Sequence, residues 1–231
     1  MPDQSMHEAA PRTIAVIGGT GRLGAGLARQ WASRGLRVIL GSRSPDKARA
    51  VASELSAGLS KGVIQGAGNA DAASAGDIVV LAVPWASHDA TLLEIEPVLG
   101  GKIVVDAVVP LVPPKVSTVQ LPEHGSAAMA ASRLIGSRAR VVSAFHNVGA
   151  AKLQGEEAPD CDVLVFGDDR AARDEIIGLV EVLGMRGVDG GALANSVAAE
   201  ALTSVLIAIN RRYKIDGAGI RITGIPRSPE A

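Results

Sequence analysis

Three glycines with a fixed spacing are the first residues of this chain that could do chemistry. Gly19, Gly21 and Gly24 satisfy the pattern G-x-G-x-x-G. The pattern follows an apolar run of strand length and precedes a stretch of helical period, which is the context of a dinucleotide site. Gly19 would form the tight turn, Gly21 would let the backbone approach a pyrophosphate, and Gly24 would let the helix lie close to the strand. The anion would meet free N–H groups at the positive end of the helix dipole. The alternative is a glycine-rich turn that binds nothing.

The residues after the second predicted strand indicate which dinucleotide would bind. A typical NAD site has an acidic residue there, about 20 residues after the glycines, which binds the ribose 2′-hydroxyl. This chain has Ser42, Arg43 and Lys47 instead. Arg43 could bind a 2′-phosphate through its planar guanidinium, Lys47 would add a point charge, and Ser42 would donate a hydrogen bond. The pattern favours NADP over NAD, unless these side chains are merely solvated. Asp46 could turn back to the ribose, but it is expected to stabilise the start of a helix.

Distinctive segments follow three later strands, where a nicotinamide would lie. They are Val83-Pro84-Trp85, the proline-rich segment 106–114 and the segment 145–150, which contains His146. Together they would form a mostly apolar shelf with few polar points. Tyr213 is the only tyrosine, so the Tyr-x-x-x-Lys pair of short-chain carbonyl reductases is excluded. His146 is the candidate catalytic residue, with a hydrogen-bonded structural histidine as the alternative.

Eight apolar runs alternate with Ala- and Leu-rich stretches of helical period. The runs span residues 13–17, 37–40, 62–65, 78–83, 103–106, 140–144, 162–166 and, least regularly, 185–188. Such alternation is typical of a parallel sheet covered by helices. We therefore predict an α/β fold with a Rossmann-like, doubly wound, mostly parallel sheet and a small C-terminal helical unit.

Capping residues and periodicity predict three helices in particular. One spans residues 23–34 and ends at Gly35; a second begins after Ser44 and ends near Gly58; a long amphipathic third spans residues 192–212. We expect a flexible tail over residues 1–12, a dinucleotide-binding domain over residues 13–190, and a helical unit over residues 191–231. That unit would complete the cleft or form a dimer interface.

Composition excludes several classes of function. The 23 Lys and Arg residues balance 24 Asp and Glu residues, and the net charge of −1 supplies no positive field for nucleic acid. The single cysteine, Cys161, can form neither an internal disulfide nor a Cys-based metal cluster, so no metal is expected. No apolar stretch approaches the ~18 residues of a membrane span. We expect a cytoplasmic homodimer that binds small molecules, without nucleic-acid or membrane partners.

Four segments together resemble the NADPH-dependent coenzyme F420 reductases, also called F420:NADP oxidoreductases. The segments are IGGTGRLG at 17–24, GSRxxxK at 41–47, VPW at 83–85 and SAFHNV at 143–148. The first is common to many Rossmann proteins, whereas the combination is much more specific. The resemblance spans most of the chain, from Thr13 to about Ile225.

The resemblance implies hydride exchange between NADPH and the 5-deazaflavin coenzyme F420, with the two rings face to face in a cleft. The residues that match the family's cofactor-binding positions are Gly19, Thr20, Gly21, Arg22, Leu23, Gly24, Ser42, Arg43 and Lys47 for the NADP phosphates, Val83, Pro84 and Trp85 for the nicotinamide, and Val148 with His146 for the deazaflavin. His146 or a backbone amide would stabilise charge at the deazaflavin's polar edge. F420 also carries a phosphate and an acidic tail, so basic residues should lie near the cleft mouth. The candidates are Lys115, Arg133, Arg138 and Arg140.

Asp106 departs from the family's pattern, which has serine- or asparagine-containing versions of its segment. This departure does not affect the predicted NADP site. It leaves two alternatives to F420 reduction as the function. One is an NADPH-dependent reductase of another acceptor, such as an imine, a flavin or ferric iron. The other is a non-catalytic NADP sensor whose C-terminal helix contacts a partner.

Overall fold

A computed structural model of the protein describes residues 12–155 and 159–225. Within these residues one eight-stranded sheet is formed by β1 (Thr13–Ile17), β2 (Arg37–Ser42), β3 (Val63–Gly68), β4 (Ile78–Leu81), β5 (Ile103–Asp106), β6 (Arg140–Ser143), β7 (Asp162–Gly167) and β8 (Arg186–Gly191). Its helices are α1 (Arg22–Ser33), α2 (Pro45–Ser56), α3 (Asn69–Ala75), α4 (His88–Ile95), α5 (Ala127–Ile135), α6 (Arg170–Val182) and α7 (Ser196–Tyr213).

The strand order of the sheet places its ligand-binding edge. The order is β3-β2-β1-β4-β5-β6-β7-β8, and every neighbouring pair is parallel except β6 and β7. The chain direction across the sheet reverses between β1 and β4, so the turns that follow these two strands diverge and leave a crevice. Ligands of open α/β sheets bind in such a crevice. The predicted doubly wound, mostly parallel sheet is confirmed.

Two apolar layers, one on each face, hold the sheet between its helices. Side chains alternate along each strand, so Ile14 and Val16 of β1 face one layer while Ala15 and Ile17 face the other. The first layer includes Trp31 of α1 and the buried face of α6, and the second includes the buried faces of α3, α4 and α5. Strands buried on both faces explain why the runs are continuously apolar rather than alternating.

The helix ends follow the capping residues closely. Gly35 has a φ of +93°, and its N–H donates to the Ala32 carbonyl oxygen at 2.9 Å, which ends α1. The Ser44 hydroxyl accepts from the Lys47 N–H at 3.4 Å at the start of α2. The predicted helix 192–212 begins later, at Ser196, because residues 193–195 form a short 3-10 turn. Of the predicted tail only Arg12 is described, since residues 1–11 lie outside the described residues, and the domain division at residue 190 stays a prediction.

Candidate active site

The turn after β1 is as tight as its glycine pattern requires. Gly18 has a φ of +80°, and the N–H groups of Gly18 and Gly19 donate to the Gly41 carbonyl oxygen at 3.1 and 3.2 Å. A Cβ on Gly19 would lie 2.8 Å from a carbonyl oxygen of β1, and one on Gly24 would lie 2.9 Å from the Gly18 carbonyl oxygen. Neither position admits a side chain. Gly21 is less crowded, with 3.3 Å to the nearest atom.

A cavity of about 340 Å³ lies at the crevice between β1 and β4. Predicted cofactor residues that line it are Thr20, Gly21, Ser42, Arg43, Lys47, Val83 and Pro84. The others, Gly19, Arg22, Leu23, Gly24, Trp85 and Val148, do not line it. No side chain caps the start of α1 at Gly21, so the first N–H groups of the helix are available to an anion.

The charge of this cavity suits a 2′-phosphate. None of the described residues that line it is acidic, and in the described part of the chain no ion pair joins Arg43 or Lys47 to a carboxylate. Asp46 instead pairs with Arg49 at 2.5 Å, in the first turn of α2. A phosphate here would meet two cations and no carboxylate, so the residues present fit NADP better than NAD.

Asn69, the first residue of α3, also lines this cavity, and sequence reasoning missed it. The side chain is 3% exposed, and its Nδ2 donates to the Glu94 carboxylate at 3.0 Å. Its Oδ1 has no hydrogen-bond partner among the described residues. An unpaired buried acceptor costs about 1–3 kcal/mol, so a bound hydroxyl or amino group would stabilise it. No motif marks the residue, because asparagine after a strand is equally typical of a turn.

Trp85 follows β4 and contacts a buried histidine. The ring centroids of Trp85 and His88 lie 5.1 Å apart. His88 is fully buried; its Nε2 lies 2.8 Å from Asp106 Oδ2, and its Nδ1 lies 2.6 Å from Asp89 Oδ1. Burial lowers the pKa of His88, but the hydrogen bonds and charges of Asp106 and Asp89 outweigh it, so the pKa is raised. Neither His88 nor Asp106 was assigned a role from the sequence.

His146 lies just below the surface after β6. It is 5% exposed, its Nε2 lies 3.4 Å from the Ser143 hydroxyl, and its Nδ1 has no partner among the described residues. Burial lowers its pKa to about 4, against the charge of Asp106, which raises it. An imidazole with this pKa is neutral near pH 7, so it can donate or accept a hydrogen bond but bears no positive charge. Phe145 before it has a φ of +69°, which is uncommon outside glycine and turns the chain sharply after β6. The catalytic role of His146 stays a prediction.

A second cavity, of about 710 Å³, lies beside the segment that follows β6. Asn147, Gly149 and Lys152 line one side, and Gly217 from the segment after α7 lines another. β7 is antiparallel to β6 and Ser143 pairs with Phe166, so β7 starts beyond the end of β6, on the side of the sheet where the ligand-binding turns lie. Cys161, just before β7, lines the cavity there. In the part of the chain that the structure describes, Lys152 forms no ion pair.

The structure corrects most of the basic residues predicted near the cleft mouth. Arg138 and Arg140 stand before and at the start of β6, and therefore at the opposite edge of the sheet from its ligand-binding turns. Arg133, at the end of α5, lines a shallow cavity there together with Arg138. These three predictions were wrong because the start of a parallel strand, and the end of the helix that leads to it, lie at the edge of the sheet opposite to the ligand-binding turns. Lys115, in the loop after β5, remains on the ligand side.

No group of three or more potential metal-ligating side chains occurs among residues 12–155 and 159–225.

Comparison with known proteins places the chain among reductases. The family model described as "NADP oxidoreductase coenzyme F420-dependent" matches residues 13–110. A curated F420-dependent NADP reductase of Methanothermobacter thermautotrophicus is 41% identical over 221 residues, which is 92% of this chain and 95% of that protein. Its namesake in Methanocaldococcus jannaschii is 38% identical, covering 92% and 98% of the two chains. The crystal structure of a protein from Arthrobacter sp. FB24 is 28% identical with a TM-score of 0.75, covering 91% of this chain and 98% of that chain.

Proposed function

The chain belongs to the family of F420-dependent NADP reductases, and from that premise we propose that it transfers a hydride between NADPH and coenzyme F420. The observation that carries the NADP half is the acid-free cavity that joins Arg43 and Lys47 to the uncapped start of α1. Fold alone would not assign this activity, since the same fold serves many acceptors.

The residues around the first cavity would bind and orient the nicotinamide coenzyme. Thr20, Ser42, Arg43 and Lys47 hold its phosphates, assisted by the first N–H groups of α1. Val83, Pro84 and Trp85 bound the apolar shelf beside the nicotinamide. The two bound coenzymes themselves supply the hydride donor and acceptor.

No covalent nucleophile is needed for this reaction. The protein contributes by bringing the reacting carbons to within ~3–3.5 Å of each other and by excluding water. Val148 and neutral His146 would border the deazaflavin, with His146 offering a hydrogen bond rather than a charge.

The second cavity is our proposed site for the outer part of F420. The acidic tail of F420 would contact Lys152, which lines the cavity and forms no ion pair within the described residues. Asp160 and Asp216 also line this cavity, and Asp160 pairs with Arg221.

We further propose a cytoplasmic homodimer with small-molecule coenzymes as its partners and no nucleic acid or membrane. The segment Leu193–Tyr213 is long and apolar enough to cross a membrane, a property that it shares with core helices of soluble proteins. α7 holds the buried carboxylate Glu200, which accepts two backbone hydrogen bonds from α5. This anchoring supports a helix packed within the protein, with its outer apolar side chains against a second copy.

The decisive experiment is an absorbance assay of F420 reduction by NADPH, with NADH as the donor control and a free flavin as the acceptor control. We expect rapid bleaching of F420 with NADPH and much slower bleaching with NADH. NADPH binding without bleaching would reject the proposal. Oxidation of NADPH by an imine or ferric iron would then favour a reductase of another acceptor, and the absence of any oxidation would favour a sensor.

A further inference from the structure

A fully buried pair of side chains lies between the strand ends that form the active site. His88 and Asp106 are both 0% exposed, and the His88 Nε2 and Asp106 Oδ2 atoms lie 2.8 Å apart. Neither residue lines the two cavities. The other titratable groups whose charges interact with the pair are Asp89, Glu200 and His146.

Asp106 joins three neighbouring strand ends. Its Oδ1 accepts from the Val108 N–H at 2.9 Å, which fixes the backbone that leaves β5. Its carbonyl oxygen accepts from the Ala144 N–H of the segment after β6 at 3.2 Å. The next residue, Ala107, donates its N–H to the Leu81 carbonyl oxygen of β4 at 3.0 Å. The backbone at Asp106 therefore connects the ends of β4, β5 and β6, and its carboxylate fixes Val108 on one side and contacts His88 on the other.

His88 carries this constraint to the indole of Trp85. The two rings are in contact, with centroids 5.1 Å apart and planes tilted by 39°. His88 is held at both ring nitrogens, so its ring cannot rotate without breaking a hydrogen bond. Trp85 therefore rests on a surface whose orientation is set by two carboxylates.

Stability alone does not account for the pair. Replacing a buried ion pair by apolar side chains of similar volume is often neutral or stabilising, because desolvation offsets the attraction. Such a pair does fix the orientation of its groups. We propose that His88 and Asp106 are positioning residues for hydride transfer, which hold Trp85 and the backbone after β5 in the arrangement that the nicotinamide ring requires. The inference rests on the proposed function.

Substitutions can separate the geometry of the pair from its charge. In Asp106→Asn the amide oxygen can still accept from Val108, and its NH₂ group can donate to His88 Nε2 in the other tautomer. In His88→Gln the amide can still donate to Asp106. His88→Leu and Asp106→Leu remove the hydrogen bond altogether. A positioning role predicts that the amide variants rescue what the leucine variants lose.

The test measures kcat and KM for F420 reduction in these variants, with and without Trp85→Ala. We expect His88→Leu and Asp106→Leu to lower kcat about 10- to 100-fold, as misplacement by about 1 Å does, with KM for NADPH within about threefold. The amide variants should keep at least a third of kcat. Within Trp85→Ala, His88→Leu should have little further effect, because the residue through which it acts is gone. An equal loss in both backgrounds, or no loss in either, would overturn the inference.

A binding measurement decides the same question without turnover. Trp31 and Trp85 are the only tryptophans, and both can transfer excitation energy to bound NADPH. The decrease in this energy transfer that Trp85→Phe causes is therefore the contribution of Trp85. His88→Leu should halve that share or reduce it further at saturating NADPH, and His88→Gln should preserve it; an unchanged share in His88→Leu would contradict the proposal. If the leucine variants do not fold, His88→Asn, whose shorter amide does not reach Asp106, replaces them with the same expectations. NADPH binding without F420 reduction would reject the proposed function alone, and this measurement would still decide the inference; absence of NADPH binding would overturn both.

Discussion

Single side chains take their chemical roles here from the charges that surround them. Arg43 and Lys47 line a cavity without an acidic residue. Arg49, which lies two residues after Lys47 on α2, instead forms an ion pair with Asp46. His146 and His88 are both buried, yet burial lowers the pKa of His146 to about 4, whereas the carboxylates of Asp106 and Asp89 raise the pKa of His88. The type of a residue limits its role, and its neighbours select it.

Arg43→Ala tests the phosphate contact. Loss of charge-assisted hydrogen bonds should weaken NADPH binding by about 1–3 kcal/mol and leave NADH binding almost unchanged. Titration of both cofactors by fluorescence measures the two affinities. Arg49→Ala, on the following helix α2 but outside the cavity, is the control and should change neither. Equal losses for the two cofactors would show that Arg43 does not contact the 2′-phosphate.

His146→Gln tests the buried neutral imidazole. Because the folded-state pKa of about 4 lies below the ordinary 6.5, the unfolded chain binds more protons as the pH falls. The wild-type free energy of unfolding should therefore decrease more steeply than that of the variant between pH 6.5 and 4. Urea unfolding at several pH values measures the difference, with His124→Gln as the control. Parallel curves for wild type and His146→Gln would refute the neutral imidazole.

At the scale of elements, the carboxyl group of Glu200 attaches α7 to the start of α5. Glu200 is 1% exposed and accepts from the N–H groups of Ala127 and Ala128 at 2.6 and 3.2 Å. Beside it the Ser196 hydroxyl donates to the Ser126 hydroxyl at 2.8 Å. This attachment places α7 next to the segment that carries His146, whose carbonyl oxygen accepts from Thr203 at 2.9 Å.

Glu200→Gln tests this attachment through pH. Burial raises the pKa of Glu200 to about 8, although its two backbone donors lower it. The folded chain therefore keeps a proton that the unfolded chain has lost, and stability should fall as pH rises from 6.5 to 8. His88, with its raised pKa, acts in the same direction, so the wild type is compared with the variant. The wild-type decline should exceed that of Glu200→Gln by up to about 1 kcal/mol per pH unit. Exposed Glu181→Gln is the control, and an unchanged decline in Glu200→Gln would contradict the prediction.

At the scale of the whole molecule, the C-terminal part exposes several large apolar side chains. Val205, Tyr213 and Ile215 are 43%, 70% and 48% exposed, although most large apolar residues of the described chain are buried. Exposed apolar side chains of this size are used at protein interfaces. They underlie the proposed homodimer.

Sedimentation velocity at micromolar concentration should show a dimer. Val205→Glu should dissociate it, because a carboxylate would be buried without a partner at the interface. Val182→Glu on α6 is the matched control, since Val182 is similarly exposed at 41%, and it should leave the dimer intact. A monomeric wild type would reject the homodimer, and a dimeric Val205→Glu protein would place the interface elsewhere.

Much of the fold and half of the site could be predicted from the sequence because they are local. The turn from β1 into α1 depends on glycines within six residues of one another, and backbone sterics require them there. Ser42, Arg43 and Lys47 follow β2 directly, so their place beside that turn follows from the pairing of two adjacent parallel strands. The inner strands were predicted because burial on both faces leaves a continuous apolar run, whereas the partly exposed edge strands β3 and β8 gave the less regular runs.

The tertiary structure alone decided which distant residues meet. His88 and Asp106 are 18 positions apart and pair only because α4 packs over the end of β5. Asn69 joins the NADP cavity because β3 lies beside β2. Local spacing follows from bond geometry over a few residues, whereas these contacts depend on strand order, register and the crossing of helices over the sheet, which residue spacing does not record.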